Sequence, residues 1–448
     1  MKLFGTDGIR GEANQYPMTP EVALRVGMAV GYLFRNQGRH RRIIIGKDTR
    51  LSGYMLEMAL ASGVLSMGAE AWLVGPLPTP AVAFLTRDLR AEAGVMISAS
   101  HNPFYDNGIK IFAADGFKLP DEQEERIEEL LNSPVLDQAR SRGEGIGRAY
   151  RIEDARGRYM VYLKRAFPEK MDLEGMRIVV DCAHGATYRV APEILEELGA
   201  RVIRLGCSPN GLNINQECGA LYPQALQRKV LEEGAEVGLA FDGDGDRLVM
   251  VDEKGRILDG DHLLAYLARD LKQRGELWGN AVAVTVMSNL GLERFLKAEG
   301  IRIIRTRVGD RYVVEKMREE GLRLGGEQSG HIVFLDQSTT GDGILTALRV
   351  LAVMRQKEQP ASEILNLFER VPQVTRSVRV REKKPPEEIE GFSERLRRAE
   401  EILGDRGRVL VRPSGTEPKY RVMVEGEDQE LIETLADELA SYLEKCLG

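Results

Sequence analysis

Asp242, Asp244 and Asp246 stand at alternate positions, with Gly243 and Gly245 between them and Arg247 after them. The glycines let the backbone wrap so that all three carboxylates face one ion, and hard oxygen ligands of this kind suit Mg2+ or Ca2+. A calcium EF-hand loop is a competing reading, because Asp242 as its first residue puts Glu253 twelfth. Arg247 then falls sixth, where the sharp turn calls for glycine, and the flanks Val237–Phe241 and Leu248–Val251 read as strands rather than helices. A phosphatase with one aspartate as nucleophile is a second competitor. A plain solvated turn would leave three like charges crowded together.

Ser100 lies in a second loop. Val95, Met96 and Ile97 are an apolar run that ends a buried strand, and Asn102-Pro103 is a turn signal. The Ser100 hydroxyl is therefore expected at a strand's carboxyl end, where ligands collect in open α/β sheets; a polar turn that caps its own backbone is the alternative. A third loop, Gly325 to His331, presents Glu327, Ser329 and His331, which can bond sugar hydroxyls and titrate near neutral pH. Its alternative is a hairpin turn with a surface histidine. Arg412, Ser414, Gly415, Thr416 and Arg421 gather two guanidinium groups and two hydroxyls on a flexible backbone, a set suited to a phosphate. The alternative there is a hairpin with exposed basic residues. Gly5 to Gly11 carries three glycines around Arg10 and by itself reads as a flexible amino-terminal turn.

These loops need elements to hold them. At 448 residues the chain is too long for one core, and three or four domains are expected. With 43% hydrophobic and 29% charged residues the composition is that of an ordinary water-soluble protein. Lys+Arg 62 against Asp+Glu 69 gives a net charge of -7, which indicates no nucleic-acid-binding face. The four cysteines form no CxxC pair, and no stretch reaches the length of a membrane span. No membrane partner and a cytoplasmic location are the expectation.

Strand and helix signals alternate from Arg41 onward: strand Arg41–Ile45, helix Ser52–Leu65, strand Ala71–Val74, and a helix start at Thr79-Pro80. That rhythm predicts an α/β fold with a mainly parallel sheet. A polar stretch near Glu144–Arg158 marks the first boundary. The expected domains are 1–152, 153–253, 254–370 and 371–448, the first three α/β and the last a smaller α+β unit. Strand-end loops at Ser98–Asn102, Asp242–Arg247 and Glu327–His331 are expected to converge on one cleft.

Taken together, Ser98-Ala99-Ser100-His101-Asn102-Pro103, the Asp242–Arg247 run, Gly326 to His331 and Arg412 to Pro418 resemble, in order, the signature loops of the α-D-phosphohexomutases. The resemblance spans essentially the whole chain and implies three mixed α/β domains and a smaller α+β domain around a central cleft. Gly5 to Gly11, Gln328 and Val308-Gly309-Asp310-Arg311-Tyr312-Val313 look most like the bacterial branch that acts on glucosamine phosphates. That implies interconversion of glucosamine 6-phosphate and glucosamine 1-phosphate, supplying UDP-N-acetylglucosamine synthesis, with glucose and mannose phosphates as the alternative substrates.

The same resemblance implies that phosphorylated Ser100 transfers its phosphoryl group, with a bisphosphate sugar as intermediate or primer, and that Mg2+ is held by Ser100, Asp242, Asp244 and Asp246. Arg10, His101, Lys110, Arg247 and His331 take catalytic roles, with Lys110 and His331 in proton transfer. Glu327 and Ser329 hold ring hydroxyls, and Arg412, Ser414, Gly415, Thr416 and Arg421 hold the phosphate that is not reacting. To act as a base, Lys110 is expected to have a lowered pKa. The implied partners are a hexosamine phosphate and a second copy of the chain in a homodimer.

Overall fold

A computed structural model describes residues 3–5, 7–34, 41–382, 384–413 and 419–448. The chain divides into two compact units: Met1–Met287 with Glu299–Leu367, and Ser288–Ala298 with Phe368–Gly448.

The larger unit carries three sheets, each bearing one candidate loop. The first is built from β1 (Ile9–Glu12), β2 (Arg42–Lys47), β3 (Glu70–Pro76), β4 (Ala93–Ile97), β5 (Asp106–Ala113) and β6 (Ala149–Arg151), in the order β1-β5-β4-β2-β3-β6. Its centre is parallel, as the alternation of strands and helices demands, and the buried run Ile43-Ile44-Ile45 lies there. The edge nearest Ser100 is antiparallel, because β5 returns directly beside β4 and β1 pairs with β5. Residues 8–11 of that glycine-rich stretch are thus not a flexible turn. Gly8 has φ +83, and a Cβ there would lie 2.3 Å from the carbonyl oxygen of Ile109, so only glycine lets Ile9 and Arg10 join the sheet.

The second sheet comprises β7 (Arg177–Asp181), β8 (Arg201–Leu205), β9 (Val237–Phe241), β10 (Leu248–Asp252) and β11 (Ile257–Leu258), ordered β11-β10-β9-β7-β8. β9 and β10 are antiparallel, and the Asp242–Arg247 loop joins them. The third sheet has β12 (Ala281–Thr285), β13 (Arg302–Thr306), β14 (Leu324–Gly326) and β15 (Ile332–Phe334), with the Glu327–His331 loop between the antiparallel β14 and β15. All three sheets are mixed: the first and third keep a parallel majority and the second is evenly divided, and each site loop lies beside an antiparallel return.

A buried pair couples the helix Ala155–Lys164 to the helix Gly343–Lys357. Asp342 caps the second helix by accepting from the Leu345 N–H at 2.9 Å, and the Tyr159 hydroxyl donates to its other oxygen at 2.7 Å. Burial pushes the Asp342 carboxyl up to about 6 against these donors. A carboxyl raised above its unfolded value of about 3.9 contributes stability below that value, which is lost as pH rises through the folded value. Asp342→Asn keeps the cap and does not titrate. Its stability relative to the natural chain should therefore rise by about 2–3 kcal/mol from pH 4 to pH 8 in urea unfolding. A flat difference would show that Asp342 is already ionised at pH 4.

In the smaller unit, β16 (Gln373–Arg379), β17 (Gly407–Pro413) and β18 (Lys419–Gly426) form an antiparallel sheet ordered β16-β18-β17. Val374, Val378, Tyr420, Val422 and Val424 pack against Ile432, Leu435, Leu439 and Leu443 of the helix Gln429–Leu447. Residues 288–298 join this unit through specific bonds. Asn289 donates to the Val371 carbonyl at 3.0 Å, and the Leu290 N–H donates to Glu425 at 2.8 Å.

Candidate active site

The loop after β4 delivers Ser100 fully buried and in the left-handed region, at φ +52. A non-glycine residue adopts that conformation only where its surroundings impose it. Here they do. The Ser98 hydroxyl accepts from the Ser100 N–H at 2.9 Å, and Arg50 and Asn215 each donate to the Ser100 carbonyl at 2.9 Å. Arg50, itself fully buried, also donates to the carbonyls of Asn102, Pro103 and Asp106, and its Nε pairs with Asp48 at 2.9 Å. Asp48 in turn accepts from the Ser98 hydroxyl at 2.6 Å. Asp48 and Arg50 stand just beyond β2. Nothing in the motif pattern singles them out, although a charged pair directly after an Ile-Ile-Ile strand is a detectable signal.

This scaffold aims the Ser100 hydroxyl at Asp242, to which it donates at 2.6 Å. Asp242, Asp244 and Asp246 are all buried, with one oxygen from each lying within 4.8 Å of the others. Burial, then the Asp246 and Asp244 carboxylates, push Asp242 well above the usual range. Burial also opposes ionisation of Asp246, but Lys110, His331 and Arg247 outweigh it and hold that carboxyl well below. Asp244 Oδ1 and Asp246 Oδ1 are buried with no hydrogen-bond partner among the described residues. Buried oxygens without donors, in a set containing only oxygen ligands, fit a hard divalent cation. The EF-hand reading fails on geometry: the flanks are strands, and Glu253 instead accepts from the backbone N–H and hydroxyl of Ser362.

Lys110 sits on β5, is almost fully buried, and reaches Asp244 at 2.9 Å, Asp7 at 3.1 Å and Asp246 at 3.7 Å. Burial alone would lower its pKa, but Asp244, Asp7 and Asp246 together raise it well above the usual lysine value. The expected depression is therefore reversed, because three acids from two distant parts of the chain outweigh desolvation. Arg10 pairs with Asp7 and lies 3.5 Å from the Ala99 carbonyl. Arg247 donates its backbone N–H to Asp242 at 3.2 Å, and its side chain lies 3.8 Å from Asp246. His101 is pushed down to about 3 by burial and by the Arg247 and Arg10 charges, so it stays neutral.

His331 is brought to the same place by the third sheet. Its neighbour Gly330 accepts from the Leu248 N–H at 3.1 Å, which ties this loop to the start of β10. His331 Nδ1 lies 3.6 Å from Asp246, and Nε2 accepts from the Gly341 N–H at 2.9 Å. Burial would lower its pKa, but Asp246, with help from Asp310, raises it to about 9. The Gly341 donor opposes that rise by favouring a neutral ring at Nε2. Glu327 accepts from the Gly309 N–H at 3.2 Å and from the exposed Ser329 hydroxyl at 3.3 Å. Beside them Lys118 pairs with Asp310 at 2.6 Å and with Asp7, a network the loops alone do not announce. Ser100, the three aspartates, Lys110, Arg247 and His331 thus meet in one place.

Arg412 and Arg421 face each other across β17 and β18 in the smaller unit. Like charges directly opposite are unfavourable in a sheet and suit an anion between them. Ser414, Gly415 and Thr416 lie outside the described residues.

Four family profiles match in order along the chain. They are described as phosphoglucomutase/phosphomannomutase alpha/beta/alpha domain I at residues 1–136, domain II at 158–255, domain III at 259–371 and the C-terminal domain at 377–441. A phosphoglucosamine mutase of Myxococcus xanthus is 56% identical over 447 residues, covering 100% of this chain and 98% of that protein. A solved phosphoglucomutase/phosphomannomutase family protein from Burkholderia thailandensis shares the fold with a TM-score of 0.82 at 24% identity, covering 99% of this chain and 97% of the other. An Aspergillus fumigatus N-acetylphosphoglucosamine mutase, solved in complex with GlcNAc-6P and magnesium, aligns with a TM-score of 0.70 at 20% identity over 100% and 96% of the two chains. With four consecutive domain matches and a full-length relative at this identity, the chain belongs to the phosphoglucomutase/phosphomannomutase family, the phosphohexomutases.

Proposed function

We propose that this protein is an isomerase that interconverts glucosamine 6-phosphate and glucosamine 1-phosphate, supplying UDP-N-acetylglucosamine synthesis. The observation that carries the reaction type is the Ser100 hydroxyl held 2.6 Å from Asp242 at the buried acidic triad. The choice of an amino sugar rests on the 56% identity to a phosphoglucosamine mutase over the whole chain.

The phosphorylated Ser100 gives its phosphoryl group to the free hydroxyl of the sugar monophosphate. The P–O bond to Ser100 breaks as that to the sugar forms, and the sugar's proton is passed on so that Ser100 recovers its hydroxyl. The resulting bisphosphate turns over and returns its other phosphoryl group to Ser100. Asp242, Asp244 and Asp246, with an oxygen of the Ser100 group, would hold Mg2+, which offsets phosphate charge and polarises the transferring group. Lys110, kept as an ammonium, and Arg10 and Arg247 steady the phosphoryl oxygens. His331, bonded at Nε2 and facing Asp246 through Nδ1, moves the proton, and Lys110 shares in that transfer only as a donor, its ammonium acting on the departing Ser100 oxygen, while neutral His101 lines the phosphoryl position. Glu327 and Ser329 grip ring hydroxyls, and Arg412, Ser414, Gly415, Thr416 and Arg421 hold the other phosphate. A cytoplasmic location and a homodimer belong to the same proposal, supported by family membership. No described helix is long and apolar enough to cross a membrane.

The test compares mutase rates on the 1-phosphates of glucosamine, glucose and mannose with Mg2+ and a bisphosphate primer. Glucosamine 1-phosphate should be preferred, and chelation should abolish all three rates until Mg2+ is restored. A clear preference for mannose or glucose would overturn the sugar assignment, and full activity after chelation would overturn the role of the triad.

A further inference from the structure

Cys182 and Cys207 take no part in the chemistry above, yet they are placed together at the carboxyl ends of two paired strands. β7 and β8 run parallel with Asp181 opposite Leu205, so Cys182 comes directly after one strand and Cys207 lies just past the other. Both converge on one oxygen: the Cys182 N–H donates to the Leu205 carbonyl at 3.1 Å, and the Cys207 thiol donates to it at 3.0 Å. The two thiols are near enough for each to perturb the other's ionisation. Cys207 stands one residue past the position opposite Cys182, so a strand spacing of about 4.8 Å and a rise of about 3.3 Å put the two Cα atoms roughly 6 Å apart, inside the separation of roughly 4.4–6.8 Å that a disulfide spans. Cys182 is buried and Cys207 is half-buried, so an oxidant meets Cys207 first. The neighbouring Cys182 side chain lowers the Cys207 thiol, burial opposes this, and Arg204 adds to the lowering; burial holds Cys182 protonated.

The segment immediately after Cys182 braces the metal loop. Ala183 and His184 are both left-handed, at φ +52 and +50, two consecutive strained residues without glycine's freedom. The His184 N–H donates to the Gly206 carbonyl at 2.6 Å, and its carbonyl accepts from the Thr49 hydroxyl at 2.6 Å. The Ala186 N–H donates to the Gly243 carbonyl at 2.8 Å, and a Cβ on Gly185 would lie 2.3 Å from that same oxygen. Gly243 stands between Asp242 and Asp244. A covalent pull at Cys182 therefore reaches the carboxylates through two tightly packed backbone segments.

We propose that Cys182 and Cys207 form a reversible disulfide under peroxide, and that this bond shifts the metal loop and slows the enzyme. The Cys207 thiolate attacks hydrogen peroxide, breaking the O–O bond and releasing hydroxide, which leaves as water once protonated. Cys182 sulfur then attacks the sulfenic acid on Cys207, the S–S bond forms, and a second water leaves with the Cys182 proton. Two thiols and one peroxide become one disulfide and two waters, with two electrons passed to the peroxide; an external dithiol reverses the bond by exchange. The slowing of turnover rests on the mutase reading, whereas the disulfide and its effect on metal binding do not.

The test treats the full chain with hydrogen peroxide, blocks remaining thiols and maps non-reduced peptides by mass spectrometry. A Cys182–Cys207 linked peptide is expected, together with weaker Mg2+ binding by calorimetry and a kcat reduced about tenfold, both restored by a dithiol. Cys207→Ser should keep the untreated kcat and Mg2+ affinity and lose the peroxide response. Cys218→Ser, whose native thiol is pushed up to about 12 by burial, should keep that response. The absence of the linked peptide would overturn the proposal. So would a linked protein with unchanged Mg2+ affinity, or equal inhibition of Cys207→Ser.

Discussion

Ser100→Ala loses mutase activity by about 10⁴-fold or more, because covalent transfer has no other hydroxyl at this position and the members of a catalytic unit are not additive. The change removes one oxygen and its 2.6 Å bond to Asp242. The backbone bonds that fix the loop come from Arg50, Asn215 and the Ser98 side chain, and all survive. Folding should therefore be retained, and thermal unfolding should lie close to that of the natural chain. Intact-mass measurement after incubation with a bisphosphate sugar should show one added phosphoryl group on the natural chain and none on the variant. A variant that still turns over within tenfold of the natural rate would remove Ser100 from the role of carrier.

Arg50→Met should cost about 3–5 kcal/mol, the range seen when one partner of a buried ion pair is removed. Asp48, whose carboxyl burial already raises against the pull of Arg50, would lose its counter-charge in a site with no exposed surface, and the carbonyls of Ser100, Asn102, Pro103 and Asp106 would each lose a donor. Methionine matches much of the aliphatic stem, so the loss is electrostatic rather than a cavity. The measurement is the urea midpoint, compared with Asp48→Asn/Arg50→Met, which should recover part of the loss because no unpaired carboxylate remains. Activity should fall with Arg50→Met even where the chain is folded, since the loop that aims Ser100 loses its main tether. A variant of unchanged stability would mean that the carbonyls and Asp48 are satisfied by water.

Local patterns carried much of this architecture. Arg177–Asp181 and Val237–Phe241 are strands at the boundaries their apolar runs suggest, because each is a short buried segment closed by a polar loop. The acidic run was legible for the same reason: ligand type and glycine spacing are local. The features that were not legible depend on partners far along the chain. The glycine-rich start becomes β1 only because β5, with Ile109 opposite Ile9, comes back to pair with it. The rise in the Lys110 pKa needs Asp7 and Asp244 together, and neither is near it in sequence. Arg50 acts on residues 100 to 106, a relation no spacing rule encodes. Likewise, residues 288–298 look like a continuation of the third α/β domain, yet their bonds run to Val371 and Glu425.

The left-handed backbone at Ser100 also limits which amino acid can carry the phosphate. Threonine offers the same nucleophilic oxygen, and elsewhere the two residues accept phosphate interchangeably. A second heavy atom on Cβ makes φ +52 a true outlier, so threonine would have to abandon either this backbone or the aim of its hydroxyl. The evolutionary route from one hydroxyl amino acid to the other is closed here by sterics and not by reactivity.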